Sequence, residues 1–418
     1  MAIDAVKSRY TRISTLADLM VQVESHFRLT DPYVIEVVFA VLATVTMPGD
    51  PAWTFLVGPP SSLKTEIVRW FRGLPKVYTT SRLTPHSLVS GLKGGDSLLP
   101  QLDGKVLMIK DFTAILEMDR KAREEIFAQL RDAFDGYYEG HFGSIGKLSF
   151  VSHFSVLAAV TSAIEEYYSV QSFLGPRFLK ARVPALDGFD KSVEEGGRED
   201  ELRRLFSGLV EKIAASIGPD DWRRVSFSRV LDLKPIVQHL ALGRTHVSRS
   251  DGFISQVPEP EMLPRLTKQL KKLAIGRAVL YGRTEVDESD IAFLRRIAHD
   301  TLPRNRAAII DALGTPCRVE SLVRDVHLPK STLYRHLEEL MALGLVDTDG
   351  AAAATYSCPA TPHFYGKGGP SIPKEVGGAG VPPRDQLQVR LSWLRSMGFD
   401  DSDPAVSRLR QLLSGPGG

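Results

Sequence analysis

The chain has 418 residues, and its 52 Lys+Arg against 50 Asp+Glu leave a formal charge of only +2. That balance excludes a uniformly basic protein coating nucleic acid, although a local basic face is still possible. With 43% hydrophobic and 24% charged residues, the composition is that of a soluble globular chain of roughly two or three domains. Its two cysteines, Cys317 and Cys358, exclude a disulfide framework and a four-cysteine zinc site. The opening MAIDAVKSRYTRIS lacks the apolar stretch of a secretory signal. The longest apolar run, Tyr33 to Met47, is interrupted by Glu36 and is shorter than the ~20 residues a bilayer span needs. A cytoplasmic protein with no membrane partner is expected.

In chain order, residues 13–47 predict two helices, the second entered through Thr30, Asp31 and Pro32, an N-cap followed by a first-turn proline. TFLVGPP is a short apolar strand stopped by Gly58, Pro59 and Pro60, and the chain turns helical from Ser61. KVLMI (105–109) and SVLAAV (155–160) are further apolar strands, separated by a helical stretch over 117–135. Continuously apolar strands alternating with helices predict an α/β fold, with a parallel sheet covered on both faces. Leu202, Leu205, Leu209 and Ile213, then Leu266, Leu270, Leu273 and Val279, are helically spaced with no evident strand between. The segment 190–302 is therefore expected to be all helical. Between Pro359 and Pro383 there are six Pro and six Gly, a density that predicts a flexible linker.

Gly58, Pro59, Pro60, Ser61, Ser62, Leu63, Lys64 and Thr65 fit GxxxxGK followed by Ser or Thr at every defined position except Leu63, which replaces the second glycine. A strand enters and a helix leaves, the setting in which backbone amides converge on an anion. In this pattern Lys64 reaches the outer phosphates of ATP and the Thr65 hydroxyl holds Mg²⁺. A plain strand–turn–helix junction is the other reading. Leu63 puts a side chain where backbone ordinarily meets phosphate, and a left-handed conformation there would cost ~1–2 kcal/mol.

The second element of such a site is a strand ending in carboxylates. GKVLMI runs into Lys110 and Asp111, where P-loop ATPases usually carry Asp-Glu. Asp111 would serve the metal or the attacking water, with Lys110 turned to a phosphate or to solvent, and slow turnover is expected. Asp111 also suits a helix N-cap.

After these motifs come EEIFAQLRDAFDG, YYEGHFGSIGKLSF, SVLAAVTSAIEE and LGPRF. In that order they resemble the AAA+ ATPases of the pre-sensor-1 hairpin group, most closely the minichromosome-maintenance replicative helicases, over about residues 50–300. The resemblance implies that the hairpin containing Ser144, Ile145, Gly146 and Lys147 enters a ring's channel, with Lys147 on the DNA backbone. The glycines at 140, 143 and 146 agree with a hairpin, and an ordinary surface hairpin also agrees. Thr161 stands where the family has a polar sensor residue, usually Asn. Arg177 matches the arginine finger, which acts across a subunit interface and so implies a ring, by likeness a hexamer. An arginine in an ordinary surface ion pair is the alternative. Arg265 takes the place of the sensor-2 arginine, and Arg277 is a weaker candidate that, beside Lys271 and Lys272, could simply face water.

Residues 304–357 resemble a winged helix-turn-helix. RAAIIDALG, VESLVRDV and STLYRHLEELMALG supply three helices, and GLVDTDG with ATYS supplies the wing. Leu333, Leu337 and Leu340 form the buried stripe, and Ser331, Thr332, Arg335 and His336 lie on the opposite face, where a recognition helix meets DNA. Glu338 and Glu339 on the same helix leave a protein-docking role open.

The expected organisation is N-terminal helices over 1–48, an AAA+ α/β nucleotide-binding domain over 49–189 and an α-helical lid over 190–302. A winged helix-turn-helix over 303–358 follows, then a linker over 359–384 and a small helical tail over 385–414 suited to a protein partner. The expected function is an ATP- and Mg²⁺-dependent motor on DNA, a helicase or translocase in the replication of a phage or mobile element. An AAA+ transcription regulator and a weakly hydrolysing DNA-binding loader are the alternatives.

Overall fold

The computed structural model describes residues 2–60, 62–90, 96–143, 146–165, 175–184, 197–257, 259–314, 316–349, 355–358 and 410. Ser61, Ser144 and Ile145, and the segments expected as linker and tail apart from Arg410, lie outside the described residues. The chain divides into two compact units: residues 1–237 with 262–301, and residues 238–261 with the chain from Leu302 onward.

The first unit begins with helices α1 (Ala2–Phe27) and α2 (Tyr33–Ala43). The Asp31 carboxylate accepts from the Tyr33 amide at 3.0 Å in an Asx turn, while the N-cap of α2 is Pro32, with no side-chain cap bond. Every residue of α2 is buried. Next come β1 (Trp53–Val57), α3 (Lys64–Trp70), β2 (Val77–Thr80), β3 (Val106–Ile109), α4 (Thr113–Leu116) and α5 (Arg120–Phe134). The antiparallel hairpin β4 (Tyr137–Phe142) and β5 (Gly146–Val151) leads to β6 (Ser155–Val160) and β7 (Phe178–Arg182). The five-stranded sheet has the order β2-β3-β6-β1-β7 with every pair parallel. The α/β class expected from the sequence is the one observed. Strands β1, β3 and β6 are buried along their whole length because apolar side chains leave on both faces.

Helices α6 (Glu199–Ala215), α7 (Val230–Gly243), α8 (Leu263–Leu280) and α9 (Glu288–Thr301) follow, with α8 and α9 part of the first unit. Gly276 lets α8 approach α2 closely, since a Cβ there would lie 2.2 Å from the Ala40 carbonyl oxygen. Arg277 joins Glu36 at 3.1 Å and Asp290 at 2.9 Å, both carboxylates buried. Lys272 is buried and donates to the carbonyls of Met47 and Gly49 at 2.6 and 2.9 Å. Arg277 thus does not face water, the alternative that the sequence had allowed. Both side chains close polar groups buried where α8 meets the N-terminal helices. On the open side of β7 the Lys180 amide donates to Thr301 Oγ1 at 2.9 Å and the Arg182 amide to Asp300 Oδ2 at 2.7 Å.

The second unit contains the hairpin β8 (Ser248–Ser250) and β9 (Phe253–Gln256), which corrects the all-helical expectation for 190–302. Asp251 and Gly252 connect its strands, both at positive φ (53° and 83°), the conformation a two-residue type I′ turn requires. In chain order come α10 (Arg304–Ala312), β10 (Cys317–Arg318), α11 (Val319–Val326), α12 (Lys330–Ala342), β11 (Asp347–Thr348) and β12 (Thr355–Ser357). The three strands pair antiparallel in the order β10-β12-β11. Leu322, Leu333, Leu337, Leu340 and Tyr356 fill the core between helices and wing. Together these helices and strands form a C-terminal winged helix-turn-helix.

Candidate functional site

The loop that begins at Gly58 leaves the carboxyl end of β1, and the Gly58 amide donates to the Val160 carbonyl at the end of β6. Leu63 is buried in right-handed helical conformation (φ −60°, ψ −7°) at the N-cap of α3. The loop therefore asks for no left-handed residue here, and the strain considered from the sequence does not arise. Lys64 is buried, and its ammonium donates to the carbonyls of Gly58 (2.9 Å) and Pro59 (2.5 Å) and to Ser62 Oγ (2.7 Å). Burial lowers its pKa while nearby Asp111 works the other way. Every directly bonded partner is neutral, so the cation keeps charge available for an anion. Pro60 is exposed and Thr65 half-buried.

At the end of β3, Asp111 is exposed and its Oδ1 accepts from the Thr113 amide at 2.9 Å. This i to i+2 bond is an Asx turn and not the N-cap that the sequence left open, because the N-cap of α4 is Phe112; it occupies one of the two carboxylate oxygens. Lys110 is half-buried and makes no ion pair among the described residues. At the end of β6, the Thr161 hydroxyl lies 3.3 Å from that of Thr113, and its amide donates to Thr113 Oγ1 at 3.2 Å. Phe112 ties the two strand ends together through its amide bond to the Ala159 carbonyl at 2.8 Å. Lys64, Thr65, Asp111 and Thr161 thus all stand at the carboxyl edge of neighbouring parallel strands, the crevice where open α/β sheets bind ligands. Thr113 was not singled out from the sequence, although a hydroxyl two residues after an Asx-turn aspartate is a usable signal.

Arg177 and Arg265 occupy the opposite edge. Arg177 precedes Phe178, which pairs with Trp53 at the start of β1, whereas the loop follows Val57 at its end. Strand rise puts the two edges on the order of 15 Å apart. Arg177 is mostly buried, stacked over Phe134 at 5.4 Å and 3.9 Å from Asp135. Its backbone carbonyl accepts from the Gln269 side chain at 2.6 Å. A Cβ at Gly175 would meet Arg177 Nη1 at 2.8 Å, so glycine makes room for the guanidinium. Arg265 lies over the same Phe134 ring at 5.6 Å. Burial and the like charge of Arg265 lower the Arg177 pKa. Arg277, the weaker candidate, belongs to the buried Glu36–Asp290 network and not to either edge.

In the hairpin, Lys147 is exposed, pairs in register with His141, and its ammonium lies 2.9 Å from Glu139. Tyr138, Phe142, Leu148 and Phe150 turn the other face toward the core.

On α12, Ser331 and Arg335 are exposed and Thr332 is half-buried. His336 is different: its ring meets Asn305 at 3.1 Å and Glu339 at 3.4 Å, so it points into the unit and not outward with Arg335. One helical position separates them, and that rotation of about 100° turns His336 onto α10. The carboxylates of α12 are occupied. Arg249, from β8, bonds Glu338 and Glu339 at 2.9 Å each and also donates to the Arg335 carbonyl. Arg306, from α10, reaches Glu339 at 3.1 Å. Burial pushes the Glu339 carboxyl up, but His336, Arg249 and Arg306 outweigh it and bring the pKa down to about 2. Reading the sequence missed Arg249, although Asp251 and Gly252 mark its hairpin.

Among the described residues no helix is long and apolar enough to cross a membrane, and no group of three or more His, Cys, Asp or Glu is placed to hold a metal ion. No curated protein matches the chain. A crystal structure from Cytophaga hutchinsonii, of a protein proposed to be an ATPase, is similar at 16% identity and a TM-score of 0.41, covering 72% of this chain and 88% of that one. Residues 308–350 match the model of the IclR helix-turn-helix domain.

Proposed function

We infer that this chain is an AAA+ ATPase acting on DNA, similar to the minichromosome-maintenance helicases. The observation that carries this reading is the division of polar groups between the two edges of one sheet. Lys64, Thr65, Asp111 and Thr161 gather at the carboxyl edge, whereas Arg177 and Arg265 stand at the other. An arginine that far from its own phosphate loop serves a nucleotide only on a neighbouring copy, so the arrangement favours a ring.

The residues present fit Mg²⁺·ATP. The backbone amides of Leu63, Lys64 and Thr65 and the Lys64 ammonium would bind the triphosphate, with Lys64 exchanging its bonds to Gly58, Pro59 and Ser62 for phosphate oxygens. The Thr65 hydroxyl and Asp111 Oδ2 would hold the metal, which when bound neutralises charge on the phosphates. Thr161, oriented by Thr113, would hydrogen-bond the terminal phosphate or the attacking water. With no second carboxylate beside Asp111, the water is weakly activated, which accords with slow turnover.

The DNA-facing groups in this reading are Lys147 on the hairpin and Ser331, Thr332 and Arg335 on α12. His336 would act by orienting Glu339. A DNA-bound regulator shares all of these features, and the helix-turn-helix match supports it equally. ATP turnover with and without single-stranded DNA separates the readings. Stimulation by DNA supports a translocase, DNA-independent turnover a regulator, and no turnover a loader. Lys64→Ala should abolish turnover in either active case.

A further inference from the structure

Within the DNA-binding reading of the second unit, and resting on it, we propose that Arg249 sets the electrostatic sign of the recognition face. Arg249 is a positioning residue that acts through Glu338 and Glu339 and makes no DNA contact of its own. Helix α12 carries two carboxylates one turn beyond Arg335, and left alone they would repel phosphate. The hairpin β8–β9 brings one guanidinium against both, with Nη2 on Glu338 and Nε on Glu339, each at 2.9 Å. Two further bonds hold that guanidinium in place, to the carbonyls of Gly252 (2.8 Å) and Arg335 (2.9 Å). Arg306 is buried, anchored on the Gly243 and Thr245 carbonyls, and supplies the second positive charge to Glu339.

Two arginines against two glutamates leave this cluster with no net charge. All four side chains are largely shielded from water, where the balance is little screened. The outward charges near the start of α12 are then Lys330 and Arg335, both exposed. The surface formed this way fits the phosphates of duplex DNA beside a major groove. The carboxylates that made the sequence ambiguous thus belong to the interior.

The test measures binding of the full-length chain to a labelled mixed-sequence DNA duplex at low salt, for Arg249→Met, Glu338→Gln and the double variant. Charge balance predicts about tenfold weaker binding for Arg249→Met. It predicts equal or tighter binding for Glu338→Gln, and return to within about twofold of the unaltered chain for the double variant. If Arg249 only supports the fold, Glu338→Gln also weakens binding and the double variant stays weak, which overturns the proposal. Should Arg249→Met fail to fold, the sign of the Glu338→Gln effect alone decides. If the unaltered chain binds no duplex, the DNA-binding reading falls as well, an outcome distinct from binding that is indifferent to these variants.

Discussion

Arg177 and Arg265 share one aromatic ring, their guanidinium carbons 5.4 and 5.6 Å from the centroid of Phe134. Two like charges side by side repel, and only part of that is offset by the ring and by Asp135. A pair held this way suits an anion delivered from outside the chain. Arg177→Ala should cost on the order of 10³-fold in ATP turnover while leaving nucleotide binding intact. Mixing it with Lys64→Ala, itself inactive, should restore turnover, because one variant supplies the loop and the other the arginine. A mixture that stays inactive would contradict the intersubunit role.

Leu63→Gly restores the defined glycine of the loop pattern, yet it should not improve nucleotide affinity. The native residue is already in an ordinary helical conformation, with its side chain in the core. Glycine would remove that packing and add backbone entropy, for a loss of about 2–5 kcal/mol. Thermal unfolding and nucleotide titration of the same variant read both effects.

Gly276→Ala is a single methyl group added where α8 crosses α2. It would lie 2.2 Å from the Ala40 carbonyl oxygen, a backbone atom that cannot rotate away. The helices must separate, at a cost of about 1–3 kcal/mol, visible as a lowered denaturant midpoint.

The winged-helix unit should lose stability in acid through Glu339. Its pKa in the folded chain is about 2, against an ordinary value of 4.5. The stabilisation is therefore complete above pH 4.5 and is lost as pH falls from there through about 2, on the order of 3 kcal/mol in all. Hydrogen exchange of the α12 amides should accelerate across that window. Glu339→Gln should exchange faster at neutral pH and show a flatter acid profile.

The interior of the sheet was legible because β1, β3 and β6 are apolar on both faces, which leaves an uninterrupted signal. Its outer strands were not. β2 is half-exposed along its length, and β7 carries Lys180 and Arg182, whose charges Glu165 absorbs at 3.1 and 2.8 Å. A salt bridge across elements leaves no local pattern. The same holds for Arg277, which could have faced water and instead joins Glu36 and Asp290. For β8–β9 the turn residues Asp251 and Gly252 were a sufficient sign, but the polar flanks Ser248 to Ser250 hid it. In the candidate site, strand ends and loop could be read from order alone. The orientation of His336 depends on α10, and no spacing within α12 reveals it.

The bonds from Asp300 and Thr301 to β7 restrict how the molecule can move. Helix α9 cannot swing away on its own, since doing so would strip two strand amides of their acceptors and leave Tyr33 without the carboxylate its hydroxyl bonds at 2.9 Å. Any displacement of α9 must therefore carry the last strand with it, so that rim and helix turn as one lever whose near end adjoins the loop after β1.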